Sequence, residues 1–157
     1  MQPLDLISTA KVLTDAGKGK PSQANLRRAA STTYYALFHS LARTCADTML
    51  GGSGASRGVN AWRQVYRALE HGFAKNACSD RHTMGLFPKA IEDFGNAFVT
   101  MQEKRHSADY DPYIRLTKSE VSLDIAIAEQ VIRDFAKERM KDRRAFCTWV
   151  LFKKPRN

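Results

Sequence analysis

The stretch from about Gln23 to Met49 constrains the fold more than any other part of the chain. Pro21 and Ser22 precede it, and the run Gly51-Gly52-Ser53-Gly54-Ala55-Ser56 closes it. Between them one apolar stripe reads Leu26, Ala30, Thr33, Leu37, Leu41 and Thr44, and an adjoining stripe reads Tyr34, Phe38, Leu41 and Cys45. Steps of three and four residues put such positions on one side of a helix. Ser22 is suited to cap that helix, and Pro21 stops it from continuing the segment before. The small residues Ala29-Ala30-Ser31-Thr32 let a neighbouring helix come close.

The same spacing recurs elsewhere. A first helix is predicted over about Leu4 to Ala16, ended by Gly17-Lys18-Gly19-Lys20-Pro21. A third is predicted from about Val59 to Phe73, with Trp62, Tyr66 and Leu69 as its stripe. Lys75 to Leu86 is less regular and reads as a loop. Pro88 suits the first position of a fourth helix, in which Ile91, Phe94, Phe98 and Met101 share a face and which stops at Asp111-Pro112. A last helix is predicted from about Lys118 to Arg144. Val121, Leu123, Ile125 and Ile127 alternate like a strand, but Val121, Ile125, Ala128, Ile132 and Phe135 continue at helical spacing well past strand length. The expected fold is therefore all-α: an up-and-down bundle of four to five helices over residues 1–145, followed by an apolar and then basic tail over 146–157.

Composition narrows the setting. The 157 residues suit one domain, and 43% hydrophobic with 26% charged residues is ordinary for a globular chain. No apolar run approaches the roughly 20 residues needed to span a bilayer, so no membrane role is expected. Residues 1–11 lack a basic start and a long apolar core, unlike a signal peptide. Cys45, Cys78 and Cys147 show no metal spacing and no pairing framework, which points to a reducing cytoplasm. The net charge of +9 favours anionic partners such as nucleic acid. There is no phosphate-binding glycine loop, no HExxH and no CxxC, so neither a metal nor a cofactor is expected.

Four clusters are candidates for chemistry. Arg28, Thr32, Tyr35 and His39 share one face of the second helix, beside its apolar stripe. They read either as a polar seam lining a groove or as the edge of an amphipathic helix. Arg105 extends the apolar stripe Phe94, Phe98, Met101, so its guanidinium needs a partner, and Asp109 lies one turn on. That pair either orders the helix end or holds an anion-binding arginine beside Tyr110, because the planar guanidinium fork matches phosphate. Arg67 and His71 lie one turn apart, and His71 reads mainly as a helix cap. Lys137, Arg139, Lys141, Arg143 and Arg144 precede Phe146 to Phe152. This segment reads as a basic turn and a docked apolar run, or as a nucleic-acid contact.

The segment Arg27 to His39 resembles the R-A-x-x-x-x-Y-Y-A-x-F-H helix of small bacterial HEPN proteins. Arg105-His106-Ser107-Ala108-Asp109-Tyr110-Asp111 resembles the R-x-x-A-D-Y-D box of the same family. The resemblance implies a helical homodimer with a polar cleft on its two-fold axis. It implies an RNA- or nucleotide-directed role in toxin–antitoxin or defence systems, beside a nucleotidyltransferase-like antitoxin. Many members are metal-independent endoribonucleases that pair an arginine with a histidine four to six residues further on. From Arg105 those places hold Tyr110, Asp111 and Pro112, so the site departs from the usual one. The expected catalytic residues are Arg105, Asp109, Tyr110 and His39. Arg28, Tyr35 and His106 are expected to bind RNA or nucleotide. The alternative is a noncatalytic interaction or nucleotide-binding module paired with a nucleotidyltransferase-like protein.

Overall fold

A computed structural model describes residues 2–17 and 19–156. Met1, Lys18 and Asn157 lie outside the described residues, and with them one position of the expected helix-ending run at 17–21 and the last position of the tail. Eight helices and no strand occur among the described residues. They are α1 (Pro3–Asp15), α2 (Gln23–Leu50), α3 (Val59–Ala68), α4 (His71–Ser79), α5 (Arg81–Met84), α6 (Lys89–Tyr110), α7 (Lys118–Lys137) and α8 (Met140–Leu151). None of them is long and apolar enough to cross a membrane.

The second helix organises the rest. The Ser22 hydroxyl accepts the Asn25 amide at 3.1 Å, and this caps one end of α2. At the other end Gly51, at φ +90°, returns its amide to the Asp47 carbonyl. Along its length α2 packs against α1, α3, α6, α7 and α8. Leu26, Ala30, Thr33, Tyr34, Leu37, Leu41 and Cys45 are all buried, so both predicted stripes face the core. Phe94 of α6, Phe135 of α7 and Phe146 of α8 meet there as tilted and edge-to-face rings with centroids 4.6–6.2 Å apart.

Three local expectations are corrected. The predicted third helix breaks at Leu69 and Glu70, which are extended, because Leu69 turns into the core. The segment read as a loop, 75–86, is mostly helix. Asp80 caps α5 by accepting the Thr83 amide at 3.1 Å, and Ala74, Cys78 and Met84 are buried. The predicted last helix ends at Lys137. Glu138 and Arg139 are extended, and the Glu138 carbonyl accepts Arg143 Nε at 2.9 Å. No glycine or proline marks that break. It lets α8 carry Phe146, Cys147 and Val150 into the core, and Trp149 Nε1 donates to the Ala77 carbonyl at 2.9 Å. The apolar part of 146–152 is thus helix packed in the bundle.

Candidate functional site

Two helices bring the central residues together. Arg105 continues the Phe94, Phe98, Met101 face of α6, so its side chain is led inward against α2 and keeps only 14% exposure. Its guanidinium carbon lies 5.1 Å from the Tyr34 ring centre and 5.8 Å from that of Tyr35. The electron-rich ring faces attract the cation. Asp109 lies one turn on, but its carboxylate is 3.7 Å from the guanidinium, beyond a good hydrogen bond. The same carboxylate faces the Ser31 hydroxyl at 3.5 Å. Arg105 Nε is buried and has no hydrogen-bond partner among the described residues. Leaving such a donor unmade costs roughly 1–3 kcal/mol.

The break after α3 delivers the next member. Because α4 begins at His71, that imidazole is turned onto α2. It stacks on Phe38 at 4.1 Å with an interplanar angle of 18°. Its Nδ1 is hydrogen-bonded to the Tyr34 hydroxyl. Tyr34 is fully buried. Burial pushes its phenol well above the ordinary range, although Arg105 opposes the rise. The phenol therefore keeps its proton. Among the described residues its hydrogen-bond partner is His71 Nδ1, so the hydroxyl donates there. The neutral imidazole must then carry its own proton on Nε2. Burial lowers the His71 pKa first, with Arg105 and His39 adding to the effect. Near neutral pH His71 is an uncharged ring whose Nε2–H is a donor.

His39 forms a second pair. Its Nδ1 is hydrogen-bonded to the Tyr66 hydroxyl of α3, and the two rings lie 5.8 Å apart. Burial lowers the His39 pKa and raises that of Tyr66. Tyr66 is only half-buried, so its hydroxyl can also reach water and does not fix the His39 tautomer. The Tyr35 ring neighbours both imidazoles, at 6.3 Å from His39 and 6.1 Å from His71.

No protein-family model, curated protein or solved structure matches the chain. Of the residues singled out from the sequence, Arg105, Asp109, Tyr35 and His39 are brought to one region by these contacts. Tyr110 is 69% exposed and its ring lies tilted against His106, with centroids 4.9 Å apart, and among the described residues neither ring pairs with a ring of that region. Arg28 is exposed on α2. The basic positions Lys137 to Arg144 belong to the α7–α8 junction. His71, Tyr34, Phe38 and Tyr66 are the members that sequence reasoning did not assign to the site. The signal for His71 was slight: a helix start hidden inside a longer apolar pattern. Among the described residues no group of three or more His, Cys, Asp or Glu side chains is placed to hold a metal ion. The arrangement provides a guanidinium with an unmade donor, a neutral N–H donor and a second, neutral imidazole.

Proposed function

We propose that the protein is a HEPN-type, RNA-directed homodimer of a toxin–antitoxin or defence system, acting in the cytoplasm beside a nucleotidyltransferase-like partner. The centre holds a phosphodiester between Arg105 and His71. The observation that carries this reading is the buried Arg105 Nε that lacks a partner over two tyrosine faces. A planar fork with an unmade donor suits a phosphate oxygen, and charge-assisted hydrogen bonds of that kind are the stronger ones. The Nε2–H of His71 supplies a second donor without adding charge.

Metal-independent cleavage follows from the same parts. His39 is neutral near pH 7 and accepts the 2′-hydroxyl proton. The 2′-oxygen attacks phosphorus, the bond to the 5′-oxygen breaks, that oxygen takes a proton from water, and His39 returns its proton to the solvent. The products are a 2′,3′-cyclic phosphate and a 5′-hydroxyl. Arg105 and His71 stabilise the charge gathering on the phosphoryl oxygens. The second reading, a noncatalytic RNA- or nucleotide-binding module, is favoured by one observation. His39, the base of the first reading, already has its Nδ1 hydrogen-bonded to the Tyr66 hydroxyl.

One experiment tests both readings. The purified protein is incubated with total RNA in chelator, beside Arg105→Ala and Arg105→Lys. Shortened RNA with the parent and intact RNA with both variants, at an unchanged helical dichroism spectrum, supports cleavage. Salt-sensitive RNA binding without shortening supports the module. Cleavage that persists in Arg105→Ala removes Arg105 from the site.

A further inference from the structure

The loop between α6 and α7 combines a pinned backbone with free aromatic side chains. Arg27 of α2 donates to the carbonyls of Ala108 and Asp111 at 2.8 Å each and of Ile114 at 2.6 Å. Gln23 donates to the Leu116 carbonyl at 2.8 Å and accepts the Leu116 amide at 2.9 Å. The Asp111 carboxylate accepts the Tyr113 amide at 2.9 Å. The backbone from 108 to 116 is thus held to α2 at five points. Yet Tyr113 is 92% exposed, and Tyr110 is 69% exposed with only His106 against its ring. A rigid mount for two rings left in water is not needed for packing. Loss of side-chain freedom on binding is small for a ring already held this way.

The surroundings name the occupant. Arg28, Ser31 and Tyr35 form one stripe of α2, and Tyr35 and Ser31 lie against Arg105 and Asp109. The stripe therefore runs from the proposed phosphate centre toward this loop, over about 10 Å at 1.5 Å per residue. Arg28 and His106 are exposed beside it. Arg115 of the loop, with Lys20 and Lys118, lines a cavity of about 710 Å³, and Lys118 is also paired with Asp15 at 3.0 Å. Asp111 is engaged with the Tyr113 amide at 2.9 Å and Glu120 with the Thr117 amide at 3.2 Å, while Asp109 faces Arg105 and Ser31 at 3.7 and 3.5 Å. The exposed cations Arg28 and Arg115 beside two exposed tyrosine rings match a strand whose bases are unstacked and whose backbone is anionic.

We infer that Tyr110 and Tyr113 form a stacking platform for the bases of a single-stranded RNA whose backbone follows Arg28 to Arg105. The platform rests on the RNA-directed reading above. It selects single strands over duplexes, because paired bases offer no free face to a ring.

The test is fluorescence anisotropy with a short, mixed-sequence, single-stranded RNA, 2′-O-methylated to block cleavage, and with its duplex. Tyr110→Ala with Tyr113→Ala should weaken single-strand binding by roughly five- to a hundredfold. Tyr110→Phe with Tyr113→Phe should leave it within about twofold, because the ring and not the hydroxyl stacks. Duplex affinity should be the same in all three proteins. Unchanged single-strand affinity in the alanine variant overturns the platform, as does an equal loss for strand and duplex. An altered sedimentation state with RNA affinity intact assigns the rings to a second copy of the chain instead. A parent protein that binds no RNA sinks the functional reading as well. Loss of binding in Arg105→Ala with the double alanine variant unchanged sinks only the platform.

Discussion

Replacing Tyr34 by Phe isolates the hydroxyl that sets the His71 tautomer. The ring stays, and with it the contacts to Phe98, Tyr35 and the Arg105 cation. One neutral hydrogen bond is lost, and the freed Nδ1 belongs to a half-buried ring that water reaches. The expected cost is about 1 kcal/mol, or about 3 °C in Tm for a chain of this size. The larger change is in proton position. In the parent, the buried hydroxyl donates to Nδ1 and favours the neutral ring, in addition to the effects of burial and Arg105. The variant should show a higher His71 pKa and a mixture of Nδ1–H and Nε2–H forms. Long-range proton–nitrogen NMR on labelled protein reads both quantities directly. The sign for stability follows. A His held below its unfolded value near 6.5 binds fewer protons when folded, so stability is complete above that pH. It is lost as pH falls from there through the folded pKa. The parent should thus destabilise below about pH 6.5, and Tyr34→Phe should lose less over the same window. An Nδ1–H tautomer in the parent, or a variant with the same His71 titration, would refute the hydrogen-bond assignment and the donor role of His71 built on it.

Arg27→Ala removes three short charged hydrogen bonds at once and should cost about 3 kcal/mol, since such bonds contribute roughly 1.5–3 kcal/mol each and are not additive. Amide exchange should speed up over residues 108–116 while α7 stays protected, and uniform exchange across the chain would show that the clamp is not local. Phe146→Ala empties a fully buried site among Phe87, Phe94 and Phe135, and should lower stability by about 3–5 kcal/mol in urea titration. A loss below about 1 kcal/mol would mean that α8 is not part of the core.

The helices with strong apolar periodicity were legible from the sequence, and those set by tertiary forces were not. In α2, both stripes and the Ser22 cap agree with one another, so local signals and packing ask for the same structure. The breaks at Leu69–Glu70 and Glu138–Arg139 carry no glycine or proline. They exist because Leu69 and Phe146 bury more surface when the chain turns. The site followed the same division. Arg105 was readable because it sits on an apolar stripe, and Asp109 because it lies one turn away. His71 was readable only as a helix cap, since its place on Phe38 depends on the break before it. Arg27 gave no signal beyond its charge, because its partners are backbone carbonyls more than 80 residues later.

The two arginines at the end of α2 and on α6 are used in opposite ways, and the contrast bears on function. Arg27 is saturated: every short contact it makes goes to a carbonyl, and the result is a fixed loop. Arg105 is equally drawn out of water, yet it is left with a loose carboxylate at 3.7 Å and an unmade Nε. A purely structural arginine at that place would be expected to resemble Arg27, with its donors closed on short acceptors. Ser31 faces the same Asp109 carboxylate oxygen at 3.5 Å, and the guanidinium lies over the Tyr34 and Tyr35 rings, so no short ion pair closes on the fork. An anion arriving at the guanidinium meets a cation already largely withdrawn from water, at 14% exposure, and a neutral imidazole whose Nδ1 is taken by the Tyr34 hydroxyl. Donors held in place before an anion arrives are the ones that act most strongly on a phosphoryl group.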